Sequence, residues 1–272
     1  MIHGWLREQE DWPFLGKCQS ERNVLLMRGS YTEQAIERPH DLVKVENQGQ
    51  QGSCQGHDIS SCLEYCYVIA TQDITLQLSR AMGYYESQRI DGINGDSGST
   101  ISGGVKLAST VGICEEKLWP YPPRYNNRRP ANYDREVVEN AGKYRIANQV
   151  RITSYDGLRT FLGAGVGAVS IGVAWGSSLQ SAVVESYRGG NGGHAIALPC
   201  LSTRKDQHSR PYVWMLNSWG TGFGNDGWSE WSPRACEQIF AHRYTVAIGV
   251  SDMPNIQPRE FTAEDWTRVL RW

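Results

Sequence analysis

The sequence predicts an α+β protein built from two subdomains. Apolar residues recur at helical spacing in the first half of the chain. Continuous or alternating strand-like apolar runs dominate the second half. The two patterns do not alternate, so they argue for segregated layers rather than for repeated βαβ units. The 272 residues suit one large domain or two small ones, at roughly 100–200 residues each.

Residues 1–38 are polar and weakly patterned, and read as an N-terminal extension that packs on a core or hangs loose. From Ser53 the text changes. Ile59, Cys62, Leu63, Cys66, Ile69 and Ala70 predict a buried helix from about Cys54 to about Thr71, with a continuation towards Met82 left open. Ile101, Val105 and Leu107 predict a second helix near Thr100 to Val111. Trp119 to Pro123 then stops regular structure, because proline removes donors and fixes φ. A helical subdomain over 39–130 follows. Beyond it, Tyr155 to Leu162 reads as a short helix. Gly167 to Trp175, His194 to Leu198, Tyr212 to Leu216, Gly227 to Trp231 and Tyr244 to Ile248 read as strands of a β-rich subdomain over 131–251. The tail, 252–272, holds a capping-box-like Thr262 to Asp265 and then a short apolar-faced helix.

Composition narrows the function classes. The chain carries 27 Lys and Arg against 29 Asp and Glu, a net charge of −2. It lacks the basic field that holds nucleic acid or an anionic membrane. No apolar run approaches the ~20 residues of a membrane helix. The best candidate, Phe161 to Trp175, is interrupted by four glycines. The opening residues lack a basic start followed by an apolar stretch, so neither a secretory leader nor a membrane span is expected. A cytoplasmic protein, or one packaged in an assembly such as a virion, is the expectation. Seven cysteines are odd in number and sparse for a secreted disulfide scaffold. Cys62 and Cys66 share a helix face and read as core thiols. No metal-ligand spacing accompanies them, so neither a metal nor an organic cofactor is implied. The glycines at 163, 165 and 167 lack the following Lys-Ser/Thr of a phosphate loop.

Chemistry concentrates in three segments. Cys54 opens a buried helix, where the positive end of the helix dipole favours a thiolate. Gln48, six residues earlier, is placed to return its amide beside that sulfur. With the Cys54 N–H it would form an oxyanion hole. Among six histidines, His194 stands out. It starts a buried strand after Gly192 and Gly193, a position that aims an imidazole into a cleft. His57, one helical turn from Cys54, reads as a packed or surface residue. His3, His40, His208 and His242 default to the surface. Asn217 follows an apolar strand and suits the orienting role in a nucleophile–base–orienter set. Trp219 would cover the His194–Asn217 bond. Each segment also has a plain structural explanation: a buried helix cysteine, a packed strand, a glycine-rich turn with a core tryptophan.

Taken together, Val45 to Cys54, Gly193 to Ala195 and Asn217 to Gly227 resemble the papain family of cysteine peptidases. Cys54 comes first, His194 lies 140 residues later and Asn217 a further 23, the order and spacing known for that family. Gly4 to Leu6, Asp96 to Ser99 and Trp119 to Tyr121 look like bacterial-type members. The resemblance implies a papain-like two-subdomain fold, with a helical left half, a β-barrel-like right half and a cleft between. It implies Cys54 as nucleophile, His194 as base and acid, Asn217 as orienter, Gln48 in the oxyanion hole and Trp219 as shield. It implies Ser97, Gly98 and Ser99 along the non-primed wall, and Gly193 beside His194. The expected activity is endopeptidase hydrolysis of a peptide or protein substrate, with any assembly partner unidentified. Gln55 stands where plant and lysosomal members carry an aromatic. Gln51 replaces the family's first disulfide cysteine. The long helical prodomain is not matched, although a shorter N-terminal segment could occupy the cleft. Two alternatives follow: an inert papain-like structural or binding module, and acyl transfer to an amine in place of water.

Overall fold

The computed structural model describes residues 33–256. The heptad-like apolar positions after Ser53 wind into helix α1, Cys54–Thr71, which stops where Gln72 turns left-handed at φ 61°. The continuation towards Met82 therefore does not form. Asp73 accepts the Thr75 N–H at 2.8 Å and closes a turn instead. A separate helix α2, Arg80–Asp91, starts after Ser79, whose hydroxyl accepts the Met82 N–H. Helix α3, Ile101–Thr110, is capped by Thr100 in the same way. α1 and α2 touch backbone to backbone. A Cβ added to Gly83 would stand 2.8 Å from the Gly56 carbonyl, so only glycines allow this approach.

Residues 131–146 contain no strand. They form a π-helical turn, Tyr133–Val137, the short helix α4, Val138–Ala141, and a 3₁₀ turn. Val137, Ala141, Tyr144 and Ile146 are buried in the same cluster as the helical core. The proline-rich loop at 120–130 ends regular structure but not the packing.

Seven strands form one sheet in the order β1-β7-β2-β4-β5-β6-β3. They are β1 Asn148–Ile152, β2 Gly167–Trp175, β3 Val183–Val184, β4 Gly192–Lys205, β5 Pro211–Leu216, β6 Trp228–Trp231 and β7 Val246–Ser251. All pairings are antiparallel except β3 with β6. Helices α5, Tyr155–Gly163, and α6, Pro233–Phe240, cover the outer face. β1 and α6 had no clear sequence signal, and β4 runs well past Leu198. The end of the N-terminal extension packs on this half. The Ile36 N–H donates to Leu201 O at 2.8 Å, and Trp214 Nε1 donates to Ile36 O at 2.9 Å. The expected C-terminal helix, Cys18, His3 and Gly4 to Leu6 lie outside the described residues.

The sheet has two unlike faces. On β2 and β4, Ala168, Ser170, Gly172, Ala195 and Ala197 fall on one side by the pleat and the cross-strand register. These small residues meet the helical core, where Ala168, Ala195 and Ala197 are buried. Val169, Ile171, Val173, Ile196 and Leu198 fall on the other side and form a second core. Small side chains on the inner face let α1 sit close to the strands. Among the described residues no helix is long and apolar enough to cross a membrane.

Gln55 exposes a cost of this packing. It is fully buried, and neither its amide oxygen nor its nitrogen finds a hydrogen-bond partner. A side chain at Gly104 would collide with that amide. Replacing Gln55 by Met should stabilise the fold by about 1–2 kcal/mol, and Gly104→Ala should destabilise it by about 1–3 kcal/mol. Urea denaturation of both variants checks this. A less stable Gln55→Met protein would show that the amide is satisfied after all.

Candidate active site

Cys54 is the first residue of α1. Ser53 precedes it without capping the helix, and the first turn contains no acidic residue. The positive end of α1 is therefore left to act on the sulfur, which favours an anion there. The Ser53 hydroxyl is engaged elsewhere. It lies 2.5 Å from Tyr121 Oη, which itself donates to Gln48 O at 2.9 Å. Tyr121 has one proton to give, so Ser53 donates to Tyr121.

Across the subdomain boundary, the Ala195 N–H donates to Cys54 Sγ at 3.4 Å. That contact sets the sulfur against the start of strand β4, beside His194. His194 is fully buried, and its Nε2 meets Asn217 Oδ1 at 2.8 Å. The Ser218 N–H also donates to Asn217 Oδ1, at 2.8 Å. The oxygen end of the amide thus faces the ring. Trp219 stacks on the His194 ring at 4.7 Å, and Trp175 meets it edge-on at 4.7 Å. Cys54, His194 and Asn217, dispersed in the sequence, are brought together in the fold.

Gln48 sits beside them but is more constrained than expected. Its Nε2 donates to Gln51 O at 2.8 Å, and its Oε1 accepts from the Ser218 hydroxyl at 2.7 Å. The Gln48 N–H also donates to Ser218 O at 2.9 Å. These bonds tie the loop before Cys54 to the Asn217 turn.

The sequence matches the profile described as papain family cysteine protease over residues 33–244, well over half of the chain. The chain belongs to this papain family. Among curated proteins it is 25% identical over 205 residues to an uncharacterised peptidase C1-like protein of Acanthamoeba polyphaga mimivirus, covering 70% of this chain and 64% of the relative. It is 26% identical over 200 residues to Peptidase 1 of Psoroptes ovis, covering 69% of this chain and 56% of that protein. The chain thus spans less than two thirds of either relative. Its fold is similar to xylellain, a cysteine protease from Xylella fastidiosa, with a TM-score of 0.70 and 21% identity over 92% of this chain and 95% of that one. It is also similar to digestive procathepsin L2 from the Tenebrio molitor larval midgut, with a TM-score of 0.69 and 18% identity over 92% and 78% of the two chains. The papain-like α+β architecture expected from the motifs is the one observed.

The expected cleft-wall residues separate into two groups. A Cβ on Gly52 would lie 3.2 Å from Gly98 N, so the loop carrying Ser97 and Gly98 runs beside the nucleophile loop. Gly98 takes φ 91° there, which favours glycine. Ser99 is different: it is fully buried and its hydroxyl donates to Asp91 at 2.7 Å, so it anchors α3 rather than facing a cleft. Gly193 pairs with Ala174 at the end of β2, next to Trp175. In the sequence Trp175 reads as the last residue of a core strand, and Tyr121 as part of a proline-rich stop and of a segment that looks like bacterial-type members. An aromatic at a strand end, paired in register beside the base, was the available signal for Trp175.

The other histidines also settle. His57 is packed, not superficial. Its Nδ1 lies 3.1 Å from Ser53 O and its ring meets Tyr121 edge-on. His40 is no free surface residue either, since Nε2 lies 3.1 Å from Asn225 O and its ring sits between Trp214 and Trp228. Asp58, on the next residue of α1, accepts from the Ser170 hydroxyl and is pushed well above the usual carboxylate range by burial.

Burial, reinforced by the Arg80 guanidinium, pushes the His57 imidazole from 6.5 down to about 3. Between those values the unfolded chain takes up a proton that the folded chain refuses, so folding stability falls as pH drops through this window. His57→Phe removes that proton site. Between pH 6.5 and 4 the wild type should lose roughly 3 kcal/mol more than the variant. Urea midpoints at the two pH values measure it, and equal losses would exclude a buried neutral ring.

Proposed function

We propose that this chain is an active cysteine endopeptidase working through a thioester on Cys54. The observation that carries the reading is the pairing of two contacts, Ala195 N–H on Cys54 Sγ at 3.4 Å and His194 on Asn217 at 2.8 Å. One strand end thereby presents the base beside the nucleophile.

The sulfur attacks the carbonyl carbon of a peptide bond. Negative charge then develops on the carbonyl oxygen, against the Cys54 N–H and the second Nε2 hydrogen of Gln48. His194, charged as the sulfur's partner, gives its proton to the leaving amine nitrogen, and the C–N bond breaks. Water, deprotonated by the same ring, attacks the thioester carbonyl and releases the acid. Asn217 accepts the ring N–H throughout, and the rings of Trp219 and Trp175 keep bulk water from that bond. The backbone around Ser97, Gly98 and Gly193 forms the walls for an extended substrate. The substrate class is a peptide or protein chain.

Cys54→Ala should reduce peptide hydrolysis by at least about 10⁴-fold and abolish labelling by an epoxysuccinyl thiol reagent. A fluorogenic peptide library assayed on wild type and variant, with added amine to trap acyl transfer, makes the measurement. Retained cleavage by the variant, or a wild type that neither cleaves nor labels, would leave the fold as an inert binding module.

A further inference from the structure

Behind Asn217 lies a small polar chamber between α1 and the strands. Its walls include His57, Asp58 and Ser61 of α1, and Asn217 and Ser218 after β5. About 10 Å³ of it is open to the centre of a water molecule, which is room for one water. The surrounding groups define what such a water would meet. Asn217 is 1% exposed, and its Oδ1 already serves His194 and the Ser218 N–H. Its Nδ2 donates to no described residue. The His57 ring points Nδ1 at a carbonyl, Ser53 O, at 3.1 Å. A carbonyl only accepts, so the proton sits on Nδ1 and the lone pair on Nε2. One water-sized space is therefore bordered by a residue with an unused donor and a residue with a spare acceptor.

We propose that the chamber binds a single water that accepts from Asn217 Nδ2 and donates to His57 Nε2, making His57 a positioning residue for the His194–Asn217 pair. The bridge fixes the sense of the carboxamide. If the amide turned over, an N–H would face the N–H of a charged His194 ring, two donors head to head. A water-mediated bond holds the productive sense nearly as well as a direct one. The titratable groups around His57 are Cys54 and Asp58 on α1, Arg80 on α2, His194 on β4 and Tyr121 against its ring. Glu46 also borders the chamber. A neutral, buried His57 keeps its acceptor over the whole working pH range.

This inference rests on the peptidase reading, so two readouts are kept separate. In a high-resolution crystal structure of the wild-type chain, one ordered water should lie within hydrogen-bond distance of both Asn217 Nδ2 and His57 Nε2. An empty chamber, or a water bonded to neither atom, overturns the proposal whatever the activity. Second, His57→Phe should lower kcat/KM about tenfold, the worth of one hydrogen bond, through kcat with KM little changed. The alkaline limb of its pH profile should move to lower pH. His57→Gln, which restores an acceptor, should recover most of the loss. Alkylation of Cys54 by iodoacetamide across pH gives the same limb without turnover, and thermal melts monitor folding. An unmoved limb in His57→Phe, or no recovery in a folded His57→Gln protein, overturns it. A wild type that hydrolyses no peptide fails the peptidase reading, while the chamber's water still decides this one.

Discussion

The close seating of α1 on β2 and β4 is the constraint from which the site follows. The inner face of the two strands is made of Ala168, Ser170, Gly172, Ala195 and Ala197. None of these five side chains is larger than a hydroxymethyl group, so the start of the helix can approach within bonding range of the strand. That approach is what lets the Ala195 amide reach Cys54 Sγ at 3.4 Å. A branched residue at 195 or 197 would push helix and strand apart and separate sulfur from imidazole, even with Cys54, His194 and Asn217 themselves unchanged. Asp58 holds the same interface from the helix side through Ser170. Its burial favours the uncharged acid, the form that can sit against a strand without a counter-ion.

The segment before Cys54 solves a second problem, the absence of the family's first disulfide cysteine at position 51. Gln51 Nε2 donates to Pro122 O at 2.6 Å, and its Oε1 accepts from Tyr85 Oη at 2.8 Å. The Gly52 N–H donates to Asp96 at 2.8 Å, and Tyr121 holds both Ser53 and Gln48 O. All these partners belong to the helical subdomain. They pin the loop by polar contacts in buried or half-buried positions, where a hydrogen bond is stronger than in water. Among the described residues no cysteine is in a disulfide, so the hold on this loop does not depend on an oxidising compartment.

What was legible in the sequence was what depends on local order. The start of α1, the strand from Gly167 to Trp175 and the turn after Leu216 each declare themselves by composition over a few residues. Three ordered motifs then gave Cys54, His194 and Asn217. What stayed hidden depends on neighbours distant in the chain. α2 is buried around Ala81, Met82, Tyr84 and Tyr85 near its start and charged near its end, so no single apolar stripe marks it. The helical turns from Tyr133 to Tyr144 carry no pattern of their own in the sequence, and only their burial against distant residues marks them. Ser99 resembled a cleft residue until Asp91, eight positions earlier, took its hydroxyl. His57 looked incidental because Tyr121, which meets its ring, is far away in sequence.

The rings around His194 show why distant residues matter to the chemistry. Trp219 covers one face of the imidazole, Trp175 abuts it edge-on, and Phe223 packs on Trp219 at 5.6 Å. Water excluded from this corner lowers the local dielectric. That strengthens the His194–Asn217 bond. The same low dielectric makes a misdirected amide at 217 costly. A site enclosed this tightly therefore gains most from a device that fixes the amide's sense, and the polar chamber behind Asn217 stands where such a device has to act.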